Sequence, residues 1–196
     1  MKASELINIG SNKLKTNSIK SFILDSEILL SKVLNKKREE VLVDLNQKIE
    51  NDKILEFFKY IDRRALKEPI AYIIQQKEFW SRNFEVNNKT LIPRPETELM
   101  LEKLINIYKQ KSINILDIGT GSGCIILSLL SELKSSKGTG IDISFGALQI
   151  AKKNAKKLNI LGNIKFKKKS IDSFFSQKFD LVVSNPPYIR LSLIHI

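Results

Sequence analysis

Hydrophobic residues recur at helical spacing through the first third of the chain. Ile19, Phe22, Ile23, Ser26, Leu29, Leu30 and Val33 form a stripe behind Ser18, which reads as its N-cap. Ile54, Leu55, Phe58, Ile61 and Leu66 form a second stripe, stopped by Pro69. A shorter helix over Arg38 to Leu45 fits between them. The period then changes. Phe79, Phe84 and Val86 alternate with polar residues between Lys77 and Ile92, and Asn87-Asn88 supplies turn chemistry, so this stretch reads as a β-hairpin. Pro93 and Pro95 open a helix from Glu96 to Lys109. Short apolar strands near 114–118, 138–143, 163–169 and 179–184 then alternate with helical segments. Strand–helix alternation implies a parallel sheet. The pattern predicts an α/β fold in three parts: a helical bundle over 1–75, a hairpin linker over 76–93, and a sheet domain over 94–190.

Composition narrows the class. The chain has 196 residues, 42% of them hydrophobic, enough for one ordinary core and a smaller one. It shows no uninterrupted apolar run of membrane-spanning length, and Met1-Lys2-Ala3-Ser4-Glu5 lacks the apolar core of a secretory signal. A single cysteine, Cys124, forms no internal disulfide and suits a reducing cytoplasm; its apolar surroundings mark it as packing, not as a nucleophile. Neither membrane nor metal is expected among its partners. The net charge of +12 is carried largely by lysine, including Lys152, Lys153, Lys156 and Lys157 at helical spacing and the run Lys167, Lys168, Lys169. Such a surface steers a protein toward RNA, the ribosome or acidic partners, or is simply a solvated helix face. No aromatic residues interleave with the lysines as a stacking platform requires.

Two motifs carry chemistry. Asp117-Ile118-Gly119-Thr120-Gly121-Ser122-Gly123 follows a strand and precedes the apolar run Cys124 to Leu133, which is how a nucleotide-binding α/β unit begins. Its spacing is Gly-x-Gly-x-Gly, and the dinucleotide fingerprint would need a glycine where Cys124 stands. Asp142 ends the next strand about twenty residues on, where an acid accepts hydrogen bonds from ribose hydroxyls. The alternative role is an Asx-type cap before the helix beginning near Ser144. The second motif is Ser184-Asn185-Pro186-Pro187-Tyr188, directly after a buried strand. The proline pair ends the strand and withholds backbone donors. What stands at the strand tip is a pair of acceptors, the Asn185 side-chain oxygen and the Pro186 carbonyl, beside an aromatic ring. That set suits a planar NH2 group. A plain strand followed by a proline turn reads equally well from these residues alone.

Together these motifs resemble the class I S-adenosylmethionine-dependent methyltransferases, and within them the peptide chain release factor N(5)-glutamine methyltransferase family. The resemblance runs from Glu68 to Arg190. It is carried by Glu68-Pro69-Ile70-Ala71-Tyr72-Ile73, Glu78-Phe79-Trp80, Leu91-Ile92-Pro93-Arg94-Pro95-Glu96-Thr97-Glu98, the glycine turn, and Val183 to Ile189. Asn-Pro-Pro-Tyr is shared with adenine-amino methyltransferases of nucleic acids, whereas the Ile-Pro-Arg-Pro-Glu-Thr-Glu block is more particular to the glutamine enzymes. The resemblance implies S-adenosylmethionine as cofactor, met by Gly119, Thr120, Gly121, Ser122, Gly123 and Asp142, with Asn185 beside its methyl group. The family's acidic–apolar pair for the adenine falls on Ser170 and Ile171, so Ile171 or the displaced Asp172 is expected there.

By the same resemblance Asn185, Pro186, Pro187 and Tyr188 bind the glutamine of a Gly-Gly-Gln motif. Asn185, Pro186 and Tyr188 orient it for transfer, and the helical domain grips the release factor in the cytoplasm, near the ribosome. Pro93 to Glu98 looks like the entrance to the cofactor pocket, or else serves to cap its helix. The family's sheet has seven strands and four are read here, so the chain is expected to be an inactive fragment lacking its fifth to seventh strands. Leu191-Ser192-Leu193-Ile194-His195-Ile196 resembles the translation of a sequencing adapter, and His195 is therefore assigned no role. Two other functions share features with this sequence: a nucleic-acid adenine methyltransferase, and an RNA- or ribosome-binding module retaining the fold without activity.

Overall fold

The computed structural model describes residues 1–174 and 178–186, and the chain divides into two compact units, Met1–Ile74 and the part beginning at Gln75. Pro187, Tyr188 and the 191–196 hexapeptide, all given meaning above, lie outside the described residues.

The first unit is helical: α1 (Ala3–Thr16), α2 (Phe22–Leu34), α3 (Arg38–Val43), α4 (Asn51–Ala65) and α5 (Ile70–Ile73). Leu6, Leu14, Leu29, Leu30, Phe57 and Ile61 are fully buried at its centre. Ser18 does not cap α2. It has φ +60, and its N–H donates to Lys15 O while Ile19 N donates to Leu14 O. That pair of bonds is a Schellman ending of α1, so the residue expected to start one helix closes the one before it. Helix α1 itself left no stripe in the sequence reading because a glycine, Gly10, interrupts its buried face. A Cβ there would come within 2.6 Å of Ser26 Oγ and 2.8 Å of Phe57 Cζ, which is why glycine stands where α1 meets α2 and α4. Beside this crossing the buried Asp25 carboxylate accepts from Arg64 Nε at 2.7 Å and from Ser21 Oγ at 2.8 Å. Two donors satisfy a charge that would be costly alone.

The second unit begins with the hairpin β1 (Gln76–Phe79) and β2 (Arg82–Glu85). Its turn is Trp80-Ser81, not Asn87-Asn88. Both turn residues have positive φ, 51° and 53°, as a two-residue hairpin loop of primed type demands. Tryptophan is an unusual occupant, held by tertiary contacts: Trp80 N donates to Glu98 Oε1 at 2.8 Å, and the indole Nε1 and Arg82 both donate to Glu132. Phe79 and Phe84 pack edge to face at 6.2 Å between ring centres and enter the main core. The predicted Asn87 turn exists, but it follows β2 and lies outside the hairpin.

Beyond the hairpin run α6 (Glu96–Tyr108), β3 (Asn114–Ile118), α7 (Cys124–Glu132), β4 (Lys137–Asp142), α8 (Phe145–Lys157), β5 (Ile164–Lys168) and β6 (Leu181–Ser184). The four strands form a parallel sheet in the order β5-β4-β3-β6, with Ile118 level with Ile141 on one side and with Ser184 on the other. Leu101, Ile115, Ile126, Leu127 and Leu129 are buried in its core, as a sheet covered by crossover helices requires. Among the described residues no helix is long and apolar enough to cross a membrane.

Gly10→Ala tests the helical crossing. Alanine is the better helix former by about 1 kcal/mol, yet the added methyl has no room, and overpacking of this kind costs about 1–3 kcal/mol. We expect net destabilisation in urea unfolding; a neutral or stabilising result would show that the helices are less closely apposed.

Candidate functional site

The chain lays down β3, β4 and β5 in one direction and then returns to place β6 on the other side of β3. At such a reversal the segments leaving the two neighbouring strands part in opposite directions and open a crevice at their carboxyl ends, the usual ligand position of an open α/β sheet. Here the segment leaving β3 is the glycine turn and the segment leaving β6 begins with Asn185. Asp142 ends β4 on the other flank. Register alone therefore brings three of the sequence motifs to one edge.

The glycine turn has a specific shape. Gly119, Gly121 and Gly123 all have positive φ, at 70°, 56° and 80°, which side-chain-bearing residues rarely adopt. A Cβ on Gly119 would meet nothing within 4 Å, and one on Gly121 only the Gly119 carbonyl at 3.9 Å. Their open face is free for a ligand that a methyl group would obstruct. Gly123 faces inward instead, with Leu127 and Ala151 at 2.9–3.3 Å from where a Cβ would sit.

Three side chains brace the turn. Asp142 accepts from Gly121 N at 2.9 Å through one carboxylate oxygen and from Ser144 N at 2.8 Å through the other. The bond to Ser144 N is the helix-capping contact the sequence allowed, and the bond to Gly121 N is a further brace it did not suggest; Ser144 Oγ makes the N-cap bond to Ala147 N. A carboxylate has about four lone-pair positions, so the half-buried Asp142 retains capacity for two ribose hydroxyls. Asn154, buried in α8, accepts from Glu85 N at 2.7 Å and donates to Glu85 O and Ser122 O, joining hairpin to glycine turn. Sequence reading missed Asn154, which sits unmarked among lysines.

Asp117 is the third brace. It is 1% exposed and accepts from Thr120 Oγ1 at 2.7 Å. Burial pushes its carboxyl up to about 7, against the opposing pull of the Thr120 hydroxyl and the Ile126 N–H, and Asp142 nearby pushes the same way as burial. Burial, aided by Asp117, likewise pushes the Cys124 thiol up to about 12, which leaves it a neutral packing group with no nucleophilic thiolate.

Asn185 is half-buried at the end of β6, and its amide Nδ2 donates to Thr97 Oγ1 at 3.3 Å. Ser184 Oγ beside it donates to Ile118 O at 3.0 Å, tying the two strand ends together. With the nitrogen directed at Thr97, Oδ1 is the acceptor left over; among the described residues nothing donates to it. A cavity of about 320 Å³ opens here, lined by Arg94, Glu96, Thr97, Met100, Ser184 and Asn185. The Pro93–Glu98 block thus contributes to a cavity wall, while Glu98 turns away to hold Trp80. Pro186 is exposed, and the adjoining Pro187 and Tyr188 are not described. After β5, Ser170 Oγ donates to Asp172 Oδ2 and closes a short 3-10 turn, with Ile171 44% exposed. A larger cavity of about 520 Å³ lies at the opposite, amino-terminal edge of the sheet, and among the described residues its lining carries no acid, cysteine or histidine. The carboxyl edge is the better candidate because the acceptors and the open glycine turn are there.

Two measurements probe this bracing. Because Asp117 titrates near 7 folded and near 3.8 when free, it contributes stability fully present below about pH 4 and lost as pH rises to about 7. In Asp117→Asn that decline, on the order of a few kcal/mol, disappears; an unchanged pH profile of unfolding would contradict it. Asn154→Ala leaves two Glu85 backbone groups and the Ser122 carbonyl unpaired, at a cost of about 1–3 kcal/mol each. Hydrogen exchange at the Glu85 amide is expected to accelerate at least tenfold, and retained protection there would deny the strut.

Comparison with known proteins places this architecture. Residues 5–74 match the PrmC N-terminal domain and residues 109–192 a methyltransferase domain. A release factor glutamine methyltransferase of Buchnera aphidicola subsp. Baizongia pistaciae is 43% identical over 193 residues, which cover 98% of this chain and 69% of that protein. The corresponding enzyme of Buchnera aphidicola subsp. Schizaphis graminum is 43% identical over 167 residues, 85% of this chain and 60% of the relative. A bifunctional methyltransferase of Rickettsia typhi is 40% identical over 96% of this chain, though the match spans only 40% of that longer protein. With both domains matched in order and the relatedness extending along nearly its whole length, the chain belongs to the release factor glutamine methyltransferase family.

Proposed function

We propose that this chain carries the cofactor-binding and amide-orienting parts of an S-adenosylmethionine-dependent enzyme that methylates the glutamine side-chain nitrogen of peptide chain release factors. The observation that carries the reading is the Thr97–Asn185 contact. By engaging Nδ2 it leaves Asn185 Oδ1 as an acceptor at the strand reversal, beside the open face of the glycine turn.

The residues present suit the cofactor. Gly119 and Gly121 leave their outer face clear for it, Asp142 keeps lone pairs for ribose hydroxyls, and Ile171 presents an exposed apolar side chain for the adenine. When bound, S-adenosylmethionine supplies a methyl group on a positively charged sulfur. What the chain itself supplies is orientation. An amide nitrogen is a weak nucleophile because its lone pair is delocalised into the carbonyl, so its position must be fixed. Asn185 Oδ1 and the Pro186 carbonyl accept the two hydrogens of a substrate carboxamide, and both also favour positive charge growing on that nitrogen. Pro187 and Tyr188, which lie outside the described residues, are assigned to the same substrate site by the family resemblance alone. No general base is needed first, since the methylated nitrogen is acidic and loses its proton to water. A glutamate carboxylate would face two acceptors without offering a donor, which is the basis of the amide preference.

The helical unit serves as the grip on the release factor. The relatives' names support this substrate, a protein whose work on the ribosome puts the enzyme in the cytoplasm and near RNA. The test uses the complete protein containing this chain. Asn185→Ala is expected to retain S-adenosylhomocysteine binding while losing on the order of a hundredfold in methyl transfer. Wild-type enzyme should label a release factor but neither its Gln→Glu variant nor duplex DNA. Turnover of Asn185→Ala within a few-fold of wild type would remove the assigned role, and labelling of DNA adenine would shift the function to nucleic acid.

A further inference from the structure

The charge of this protein is not evenly spread. Up to Ile74 there are fourteen basic and eleven acidic residues; from Gln75 onward there are nineteen and ten. Most of the second excess sits in residues 145–169, which hold eight lysines and no aspartate or glutamate. A lysine-rich composition alone does not produce this, because the helical unit uses lysine freely and balances it.

The fold gathers these lysines along one flank. Lys152, Lys153, Lys156 and Lys157 are exposed on α8, which packs against β5, the strand at that end of the described sheet. Lys165, Lys168 and Lys169 are exposed on and just after β5, and Lys167 is half-buried with its ammonium 5.2 Å from the Phe174 ring. Among the described residues only Lys153 of these has a salt-bridge partner, Glu85 at 3.0 Å; Lys157 donates to the Asn83 carbonyl. Among the described residues, the other acids beside this flank are Asp142, level with Lys168 across the strand pair and already engaged with two backbone N–H groups, and the exposed Asp172, three residues past Lys169 and bonded to Ser170 Oγ. Charges on both faces of one edge strand lie within about a Debye length and act together.

We propose that the α8–β5 flank is a docking surface for the phosphate backbone of structured nucleic acid. Two features favour phosphates over an acidic protein face. Protein interfaces are built on apolar and aromatic anchors and are depleted in lysine, whereas between residues 145 and 169 only Phe145, at the amino-terminal end of α8, and Leu161 are exposed large hydrophobic side chains, against seven exposed lysines. The charge is also entirely lysine, a flexible point-charge donor suited to a repeating array of phosphates more than to fixed bidentate recognition. Helix α8 is about 20 Å long, the length over which a duplex displays about a dozen phosphates. Binding of this kind ignores base sequence and weakens steeply with salt. The proposal is independent of methyl transfer.

The test is fluorescence anisotropy of the full chain with labelled twenty-base-pair RNA and DNA duplexes of arbitrary sequence, over a salt series. The variant Lys152→Gln/Lys156→Gln/Lys165→Gln/Lys168→Gln removes four charges from the flank. A control, Lys20→Gln/Lys32→Gln/Lys48→Gln/Lys59→Gln, removes four exposed charges from the helical unit. We expect the flank variant to lose at least tenfold in affinity, with the slope of log K against log salt reduced by about three to four. The control should stay within about twofold of wild type. Replacing the same four flank lysines by arginine should preserve binding, which separates charge from folding. Tighter binding to RNA would assign the A-form duplex, and equal binding the phosphate backbone shared by both. Equal losses in flank and control variants, absence of duplex binding at low salt, or equally tight binding of polyglutamate would overturn the proposal.

Discussion

Everything at the candidate site depends on the pairing of β3 with β4 on one side and β6 on the other. Parallel strands have no side-chain-independent reason to end level, yet Ile118 stands opposite both Ile141 and Ser184. Because neighbouring strands lie only about 4.8 Å apart, that register puts the glycine turn, Asp142 and Asn185 on one edge without further positioning. Ile115, Leu116 and Asp117 are buried on both faces of β3, so a slip of one residue would exchange the two packed faces and part Asp117 from its buried setting; packing fixes the register and the register sets the edge.

The glycine turn itself is not stable by local preference. Three left-handed glycines in five residues lose much backbone freedom on ordering, and long-range polar contacts supplement the local Gly123 N–Thr120 O bond in holding them. The Ile141 carbonyl receives both Gly119 N and Thr120 N, Asp142 takes Gly121 N, and Asn154 takes hold of the Ser122 carbonyl. Each brace comes from a different element: β4, its end, and α8. The hairpin is drawn into the same network through Glu85, so the segment before the sheet and the turn after its first strand share one buried side chain. Asp117 and Thr120 close the underside with a bond in a site where charge is costly.

The helical unit follows a different logic. Its core is assembled from apolar stripes, and a single small residue, Gly10, lets three helices approach, while the Asp25–Arg64 pair satisfies the charge that closure buries. Here packing volume decides the arrangement; in the sheet unit backbone register does. Family membership, shown by relatives matched along nearly the whole chain, joins the two designs in one protein.

The sequence by itself determined the elements whose signals are local. The strand at 114–118 was legible to the residue, the helices after Pro95 and Ser144 to within a residue or two, and the glycine turn and Asn-Pro-Pro-Tyr as motifs. These rest on repeats of two or 3.6 residues and on backbone restrictions written in glycine and proline. Tertiary structure alone decided the rest. Ser18 ends a helix because the chain must turn back there for α2 to pack against α1, and Trp80-Ser81 forms the hairpin turn because Glu98 and Glu132 hold it there against its own preference. Thr97 meets Asn185 across 88 positions and Asn154 meets Glu85 across 69. Such contacts are made by one polar side chain each, with no periodicity to announce them, and their energy appears only once burial has removed water from both partners.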